Sequence, residues 1–587
     1  MNKRSLSKER LILKTRTYSP NAIIAVLAVS GAVVSIMQTV FIPLLSEIPA
    51  LLNCTPEQAS WLITATLISS SVAIPSVAKL ADMYGKRQMM IVSLAVLIVG
   101  SLIGTFGTTF PQMLVARILQ GFAMALIPIG MSIMRDQIPP QKLPGAIALM
   151  SGTMGIGAGI GLPLGGLIYQ SLGWHAIFGV SAITGAISLI AILLVVPESP
   201  IRSGGKFDYF GAGLISLWLT ALLLAITKGE HWGWSNPSIL ALFATAIVLF
   251  AIWIPLELRV SQPVIDLRTT MDRPVLLTNI ATFVVGIAMY ANILTSTQML
   301  ELPTSTGYGF GLTIFQAGLV LLPSAAAMVL MAPVAARIVT QFGPKRAMLV
   351  GCLVLAAGYA YRYYAISSVW EIAVGAIIVS AGTMIAFSAA PNIIMRIVPI
   401  SETSAANGLN NVMRTMGTAV SSAAVAAVLT GLTMQIAGGA VLPQLDAFQL
   451  IYIGAGVASL IAAFISWFLP RNLDQAHVAV SAGAGALAHQ DDELMHVRPH
   501  EFVLHGSVTN AEGAGIINAQ LVFSTLEGEQ IDWERTDAQG KYSVTLPEPG
   551  EYRIVVHAQG WQDLEELASL DAHHPPKQVV MTAGVRV

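Results

Sequence analysis

Three groups of residues have types and spacings that could do chemistry in an otherwise apolar chain. Asp82, Gly85, Lys86 and Arg87 put one carboxylate and two cations at a single helix corner. Exposed ion pairs contribute only about 0–1 kcal/mol, so a latch built there depends on helix-end placement and partial burial. The plainer reading is a basic turn with a helix-capping Asp. Arg117, followed by Gln120 and Gly121, stands seven residues into an apolar run. Such an Arg costs at least about 2.5 kcal/mol unless paired or hydrated, so it is expected to face an internal cavity, with snorkelling to the interface as the alternative. Gly157, Gly161, Gly165 and Gly166, with Pro163 among them, form the third group. Glycines four residues apart admit a neighbouring helix closely, and the proline frees a backbone carbonyl.

Other polar side chains are scattered through the apolar runs: Gln38, Asn279, Tyr290, Asn292, Gln298, Asn392, Asn407, Asn410, Asn411 and Arg414. Each is costly in hydrocarbon and so faces the bundle interior. There it either lines a substrate cavity or hydrogen-bonds between helices, the latter worth about 0.6 kcal/mol per contact. No nucleophile–base constellation and no Gly-rich Lys-Ser/Thr phosphate loop is present, so neither an enzyme nor an ATP-driven pump is expected. Cys54 and Cys352 lie far apart in apolar segments, which excludes a disulfide framework or a Cys metal site. No cofactor, no metal and no nucleic-acid partner is expected.

The elements that must hold these residues are membrane spans. Of 587 residues, 55% are hydrophobic and 11% charged, and the mean hydropathy is +0.70; soluble domains carry roughly 25% charged residues. Runs long enough to span occur at about 22–45, 58–78, 88–107, 110–133, 144–170, 174–196, 209–227, 237–258, 275–299, 313–336, 347–366, 371–395, 405–432 and 446–469. That makes fourteen spans. The terminus and alternate loops hold 21 Lys/Arg, from Lys3 to Arg471, whereas the opposite loops hold two, Lys228 and Arg362. This positive-inside bias places both termini in the cytoplasm, and a plasma-membrane setting is expected. The segments Ala78–Arg87 and Ala336–Arg346 echo each other after spans 2 and 10, as duplicated transporter halves do. The expected layout is a basic N-terminus (1–21), a six-helix bundle (22–200), an inserted helix pair (201–262) and a second six-helix bundle (263–475).

The corner at Ala78, Leu80, Asp82, Met83, Gly85, Lys86 and Arg87 resembles the loop signature of the major facilitator superfamily, Gly-x-Leu-x-Asp-Arg-x-Gly-Arg-Arg, without its first Gly and first Arg. Arg117, Gln120 and Gly121 resemble the family's Arg-x-x-Gln-Gly pattern, and Gly157–Gly166 its antiporter motif, with Pro163 one place late. Gly173-Trp174-His175, Phe207-Asp208-Tyr-Phe-Gly211, Gly318–Pro323 and Ala406–Arg414 are similar to the fourteen-span drug:proton antiporter branch that includes EmrB and QacA. The resemblance covers residues 22–470. It implies an all-α membrane fold of six, two and six helices that exports lipophilic drugs or related metabolites by alternating access in exchange for protons. It assigns the conformational latch to Asp82, Gly85, Lys86 and Arg87, and proton coupling to Arg117, Gln120 and Gly121. One departure stands against it: span 1 (Val34–Pro43) has no acid where this branch has an Asp. Asp82, Glu47 and His175 are the groups left to carry a proton. Export of one dedicated metabolite, such as a siderophore or a lipid intermediate, and a sensor or scaffold that presents its tail are the rival readings.

Residues 1–475 hold 25 Lys/Arg and 16 Asp/Glu, whereas 476–587 hold 6 and 16. Residues 476–495 read as a linker, and 496–587 as an acidic all-β sandwich with strands at 501–508, 519–525, 530–536, 541–546, 551–557 and 577–582. Gly506-Ser-Val508, Thr536–Tyr542 and Pro549–Tyr552 resemble the carboxypeptidase regulatory-like domain, a non-catalytic module. Its acidic surface suits docking on the basic loops. His496, His500, His573 and His574 fit no strong metal spacing and are read as solvated.

Overall fold

In a bilayer every backbone amide must be satisfied within its own segment, which leaves the helix as the form for each apolar run. The computed structural model describes residues 19–470 and 502–580, apart from residues 46, 140, 200–201, 204–205, 261–262, 436–440 and several turns of the second stretch. The basic residues from Lys3 to Arg16, Arg471, the linker and all four tail histidines named above lie outside the described residues.

The first part holds α1 (Pro20–Thr39), α2 (Pro56–Tyr84), α3 (Lys86–Phe106), α4 (Phe110–Gln137), α5 (Leu143–Leu172) and α6 (His175–Val195). Next come α7 (Tyr209–Trp232) and α8 (Pro237–Glu257). The last six are α9 (Arg273–Glu301), α10 (Ile314–Phe342), α11 (Pro344–Tyr364), α12 (Val369–Ile394), α13 (Thr403–Gly431) and α14 (Leu445–Trp467). Among the described residues twelve of these helices are long and apolar enough to cross a membrane. The other two stand where the fifth and eleventh spans are expected. Several α5 side chains after Thr153 lie outside the described residues, and α11 is thinned in hydropathy by Arg362 and the tyrosines around it. Capping boxes at Thr55/Gln58 and Thr313/Gln316 start α2 and α10. A 3-10 turn at Phe122–Ala125 interrupts α4, and α10 breaks at Met331.

α7 and α8 pack on each other, and α7 also lies on α2 and α13. Between the halves, α5 runs along α10 and α12, while α13 lies against α2 and α4. The two echoed corners share one device: Gly85 (φ 129°) and Gly343 (φ 87°) each end one helix and begin the next. At such angles a side chain would be strained.

The C-terminal unit has two sheets, ordered β6-β3-β9 and β5-β4-β7-β8. Their strands are β3 (Phe502–Thr509), β4 (Gln520–Ser524), β5 (Gln530–Arg535), β6 (Lys541–Leu546), β7 (Gly550–His557), β8 (Leu564–Leu570) and β9 (Lys577–Val580). Leu521, Phe523, Tyr542, Ile554 and Val556 are among the residues of its core. The sequence reading missed β8, whose Leu-Glu-Glu-Leu composition favours helix; pairing with β7 along its whole length makes it a strand. It also missed the small hairpin β1 (Thr433–Gln435) and β2 (Val441–Pro443) between α13 and α14.

The glycines of α5 serve two neighbours. A Cβ on Gly157 would sit 2.5 Å from Ser35 O, on Gly161 1.8 Å from Thr39 Oγ1, and on Gly165 2.0 Å from Val40 O. α1 therefore rests backbone to backbone on this face, and Thr39 Oγ1 donates to Gly157 O at 2.6 Å. On another face, Gly155 and Gly159 seat Met328 and Ala325 of α10, in the other half. A Cβ on Gly166 would meet nothing within 4 Å, so that glycine is not required for packing in this arrangement. Gly165→Ala is expected to cost about 1–3 kcal/mol as an overpacked contact. Gly166→Ala should cost under about 0.5 kcal/mol. Thermal melting of the two purified variants distinguishes them, and equal melting temperatures would contradict the packing account.

Candidate transport site at the junction of the halves

At the end of the bundle whose loops carry the basic residues, two side chains of the first half reach into the second. Asp82, fully buried near the end of α2, accepts the N–H groups of Ser404 (3.2 Å) and Ala405 (2.9 Å) at the start of α13. A carboxylate there meets amides that no intrahelical carbonyl can satisfy, together with the positive end of the helix dipole. Arg135, near the end of α4, donates to Val398 O (2.9 Å), Pro399 O (3.4 Å) and Thr403 Oγ1 (2.5 Å) in the α12–α13 turn. Lys86 meets Asp136 of α4 at 2.7 Å with both side chains buried, and Ser199 Oγ donates to the same carboxylate oxygen at 2.5 Å. Glu198 caps α3 by accepting from the amides of Arg87 (3.1 Å) and Gln88 (3.2 Å), while the Arg87 guanidinium donates to Leu193 O at 2.7 Å. Gly85 admits that cap, since a Cβ there would lie 3.0 Å from the Glu198 carboxylate.

Further along the bundle, α4, α5, α9, α12 and α13 enclose a cavity. Ile127, Pro128, Phe387 and Pro391 form apolar wall, and Asn407, Asn410, Asn411 and Arg414 form polar wall. It offers about 30 Å³ to water, room for about two molecules. Asn410 Nδ2 donates to Asn279 Oδ1 (2.9 Å) and Thr282 Oγ1 (3.0 Å). Arg414 donates to Asn411 Oδ1 and lies 5.4 Å from the centre of the Phe387 ring. Asn407 Oδ1 and Asn411 Nδ2 are buried without a hydrogen-bond partner.

Comparison with known proteins places this arrangement. The sequence profile of the Major Facilitator Superfamily matches residues 27–296 and 275–525. The chain belongs to the Major Facilitator Superfamily. Residues 503–582 match the carboxypeptidase regulatory-like domain, and the sheet unit begins with β3 inside the end of the superfamily match. Multidrug resistance protein Stp of Mycobacterium tuberculosis is 27% identical over 372 residues, 63% of this chain and 68% of that one. The tetracenomycin C resistance and export protein of Streptomyces glaucescens is 28% identical over 308 residues, 52% of this chain and 56% of its own. The human organic anion transporter MFSD10 (TETRAN) superposes with a TM-score of 0.54 at 13% identity, covering 77% of this chain and all of that structure.

The superfamily signature on α4 is a staple within the first half. Arg117 Nε donates to Leu62 O (3.3 Å), Arg117 Nη1 donates to Gln120 Oε1 (2.9 Å), and Gln120 Nε2 donates to Ser101 Oγ (3.0 Å). The Arg117 guanidinium sits 4.7 Å over Phe41, and Gly121 lets α4 approach Thr66 O and Ser69 of α2. Arg117 is 2% exposed and does not line the cavity, where a face on it was expected. Of the candidate cavity residues, the cavity gathers Asn407, Asn410, Asn411 and Arg414. Asn292 accepts from buried Arg362, Asn392 Nδ2 bonds its own helix at Ser388 O (2.7 Å), and Gln298 is exposed. Gln38 and Tyr290 also lie outside the cavity lining. The sequence reading passed over Arg135 as one more positive-inside residue and over the apolar wall, where Pro128 and Pro391 inside helices were the available signal. Of the groups left to carry a proton, Glu47 is exposed beside the short helix Ile48–Leu52, and His175 Nε2 lies 3.2 Å from Gly107 O at the opposite end of the bundle.

A second hollow at the basic end has Lys79, Asp266, Asn279 and Glu402 in its wall. Glu402 lies in the turn before α13, and burial pushes its carboxyl from 4.5 up to about 6, with Asp266 and Asp82 adding to the shift and Lys79 opposing it. The folded chain thus holds this proton more tightly than the unfolded one. Its stabilising contribution is full below about pH 4.5 and is lost as pH rises through about 6. The melting temperature of the purified full chain should therefore fall across that window, and Glu402→Gln should flatten the fall. An unchanged slope in the variant would refute the assignment.

Proposed function

We propose that this protein is an exporter working by alternating access, which expels lipophilic drugs or related metabolites in exchange for protons. The observation that carries the reading is the pair of buried contacts between halves, Asp82 on the α13 amides and Arg135 on the α12–α13 turn, set beside a cavity between the halves. The loop charges support a cytoplasmic location for that end. Two relatives named for drug resistance and export support the substrate class, and the match to each covers 68% and 56% of its length. With the contacts made, the cavity has room for about two water molecules and none for a drug, so substrate entry from the cytoplasm requires them to break. We assign the latch to Asp82, Gly85, Lys86 and Arg87, with Arg135 as a further member. Asp82 and Glu402 are the carboxyls best placed to couple a proton, since the cavity wall has no carboxylate among its described residues. A proton on Asp82 weakens its two charge-assisted bonds to α13 and favours opening.

Fluorescent lipophilic dyes of positive, neutral and negative charge, loaded into efflux-deficient cells that make the full chain, test this reading. At least one dye should accumulate less, and collapse of the proton gradient should abolish the difference. Asp82→Ala should lower that export about tenfold or more, a loss of about 1.4 kcal/mol or more, at unchanged membrane abundance. Failure to export any of the three would refute the reading. The acidic tail is read as a regulatory module attracted by the basic loops. Deleting residues 485–587 should alter the export rate about twofold or more while leaving insertion unchanged, and identical rates would exclude that role.

A further inference from the structure

We infer that the cavity between the halves takes an organic anion with a flat apolar body, and rejects lipophilic cations. The inference rests on the export reading and deepens it to a substrate class. Three observations lead there.

Arg414 supplies the only ionisable side chain among the described residues of the wall. The bundle adds two more buried cations, Arg117 and Arg362, whose hydrogen-bond partners are neutral: Leu62 O and Gln120 for the first, Asn292, Ser296 and Tyr452 for the second. Among the described residues of the helical unit, the single ion pair, Lys86–Asp136, sits at the basic end. Charges in such an apolar interior are weakly screened, so a cation entering the cavity meets repulsion and an anion attraction.

The amides beside Arg414 are oriented by the guanidinium itself. Arginine has donors only, so Asn411 must turn Oδ1 toward it. That leaves Asn411 Nδ2 as a buried donor without a partner, in a residue 8% exposed. Guanidinium and amide N–H side by side suit a carboxylate or phenolate oxygen, whose charge-assisted bonds are about twice as strong as neutral ones. Asn407 Oδ1, also unpartnered in a residue 3% exposed, accepts from a hydroxyl on the same molecule or from water.

Ile127, Pro128, Met131, Phe387 and Pro391 make up the apolar part of the wall. Phe387 lies under the guanidinium, and Ile127, Pro128 and Pro391 line the same cavity. Such a wall fits an aromatic body, and the cavity widens to hold it as the contacts between halves part.

The full chain reconstituted in liposomes under a pH gradient tests this with fluorescein, an aromatic carboxylate, against rhodamine 123, a cation. Fluorescein should move at about five times the protein-free rate, and rhodamine 123 at the protein-free rate. Arg414→Gln should lower fluorescein transport about tenfold, whereas Arg414→Lys keeps about a third, because a point charge replaces the planar fork. Fluorescein anisotropy with the detergent-purified full chain supplies a binding readout, in which Asn411→Ala should weaken binding about threefold. Binding lost in Arg414→Gln without any transport would overturn the export reading and leave the anion site standing. Rhodamine 123 transport that survives Arg414→Gln, or a wild-type chain that neither binds nor moves fluorescein, would overturn the inference.

Discussion

A single buried carboxylate at the start of another helix ties the two halves of this protein together. Among the described residues Asp82 has no cation within ion-pair distance; its oxygens meet the free amides of α13, which belongs to the opposite half. Arg135 makes the complementary contact, its guanidinium donating to Val398 O and Pro399 O in the turn between α12 and α13. The start of α13 offers free amides and the turn before it offers carbonyls, so one anion and one cation of the first half suffice to seize the same turn of the second. Both contacts are polar and directional, unlike the apolar packing around them.

That placement depends on less visible supports. Gly85 turns the chain within one residue, so that α2 ends and α3 begins beside the Glu198 carboxylate. Lys86 and Asp136 then neutralise each other in a buried pair between α3 and α4, next to Arg135. Removing one partner of such a pair leaves an uncompensated charge, which is why the corner behaves as a set of residues and not as separate charges. At the opposite end the cations are held differently. Lys228 donates to Ser60 Oγ at 2.8 Å and lies 4.6 Å over Trp61, and Arg117 and Arg362 are held by neutral acceptors and rings. The helical unit thus concentrates its paired charge at one end and leaves its interior net positive.

α5 is the element at which packing within the first half meets packing between the halves. One face of its glycine stripe is closed on α1 by backbone contact, and another seats Met328 and Ala325 of α10. The first contact lies within a half and the second between halves. Small residues on both faces let α1 and α10 each approach the helix closely. The interruption of α10 at Met331 falls close to this second contact.

Much of this was legible in the chain itself. Apolar runs, loop charges and the Gly-Lys-Arg corner located helices where the structure has them, and the tail's alternation located six of its seven strands. These features are local: span length follows from bilayer thickness and strand alternation from the pleat. Pairings between distant segments were not legible. Nothing near Asp82 announces that its partners lie 322 and 323 residues on, and Arg135 looked like any other loop cation. The polar residues of α9 and α13 read alike, although Asn292 holds Arg362 and Asn411 faces the cavity. The sequence by itself determined the membrane class, the helical runs and the attached β domain, because each answers to the period and length of one segment. Only the tertiary structure decided which buried polar groups meet each other and which meet the cavity. A buried donor or acceptor is satisfied by whatever the fold brings to it, and that depends on all segments at once.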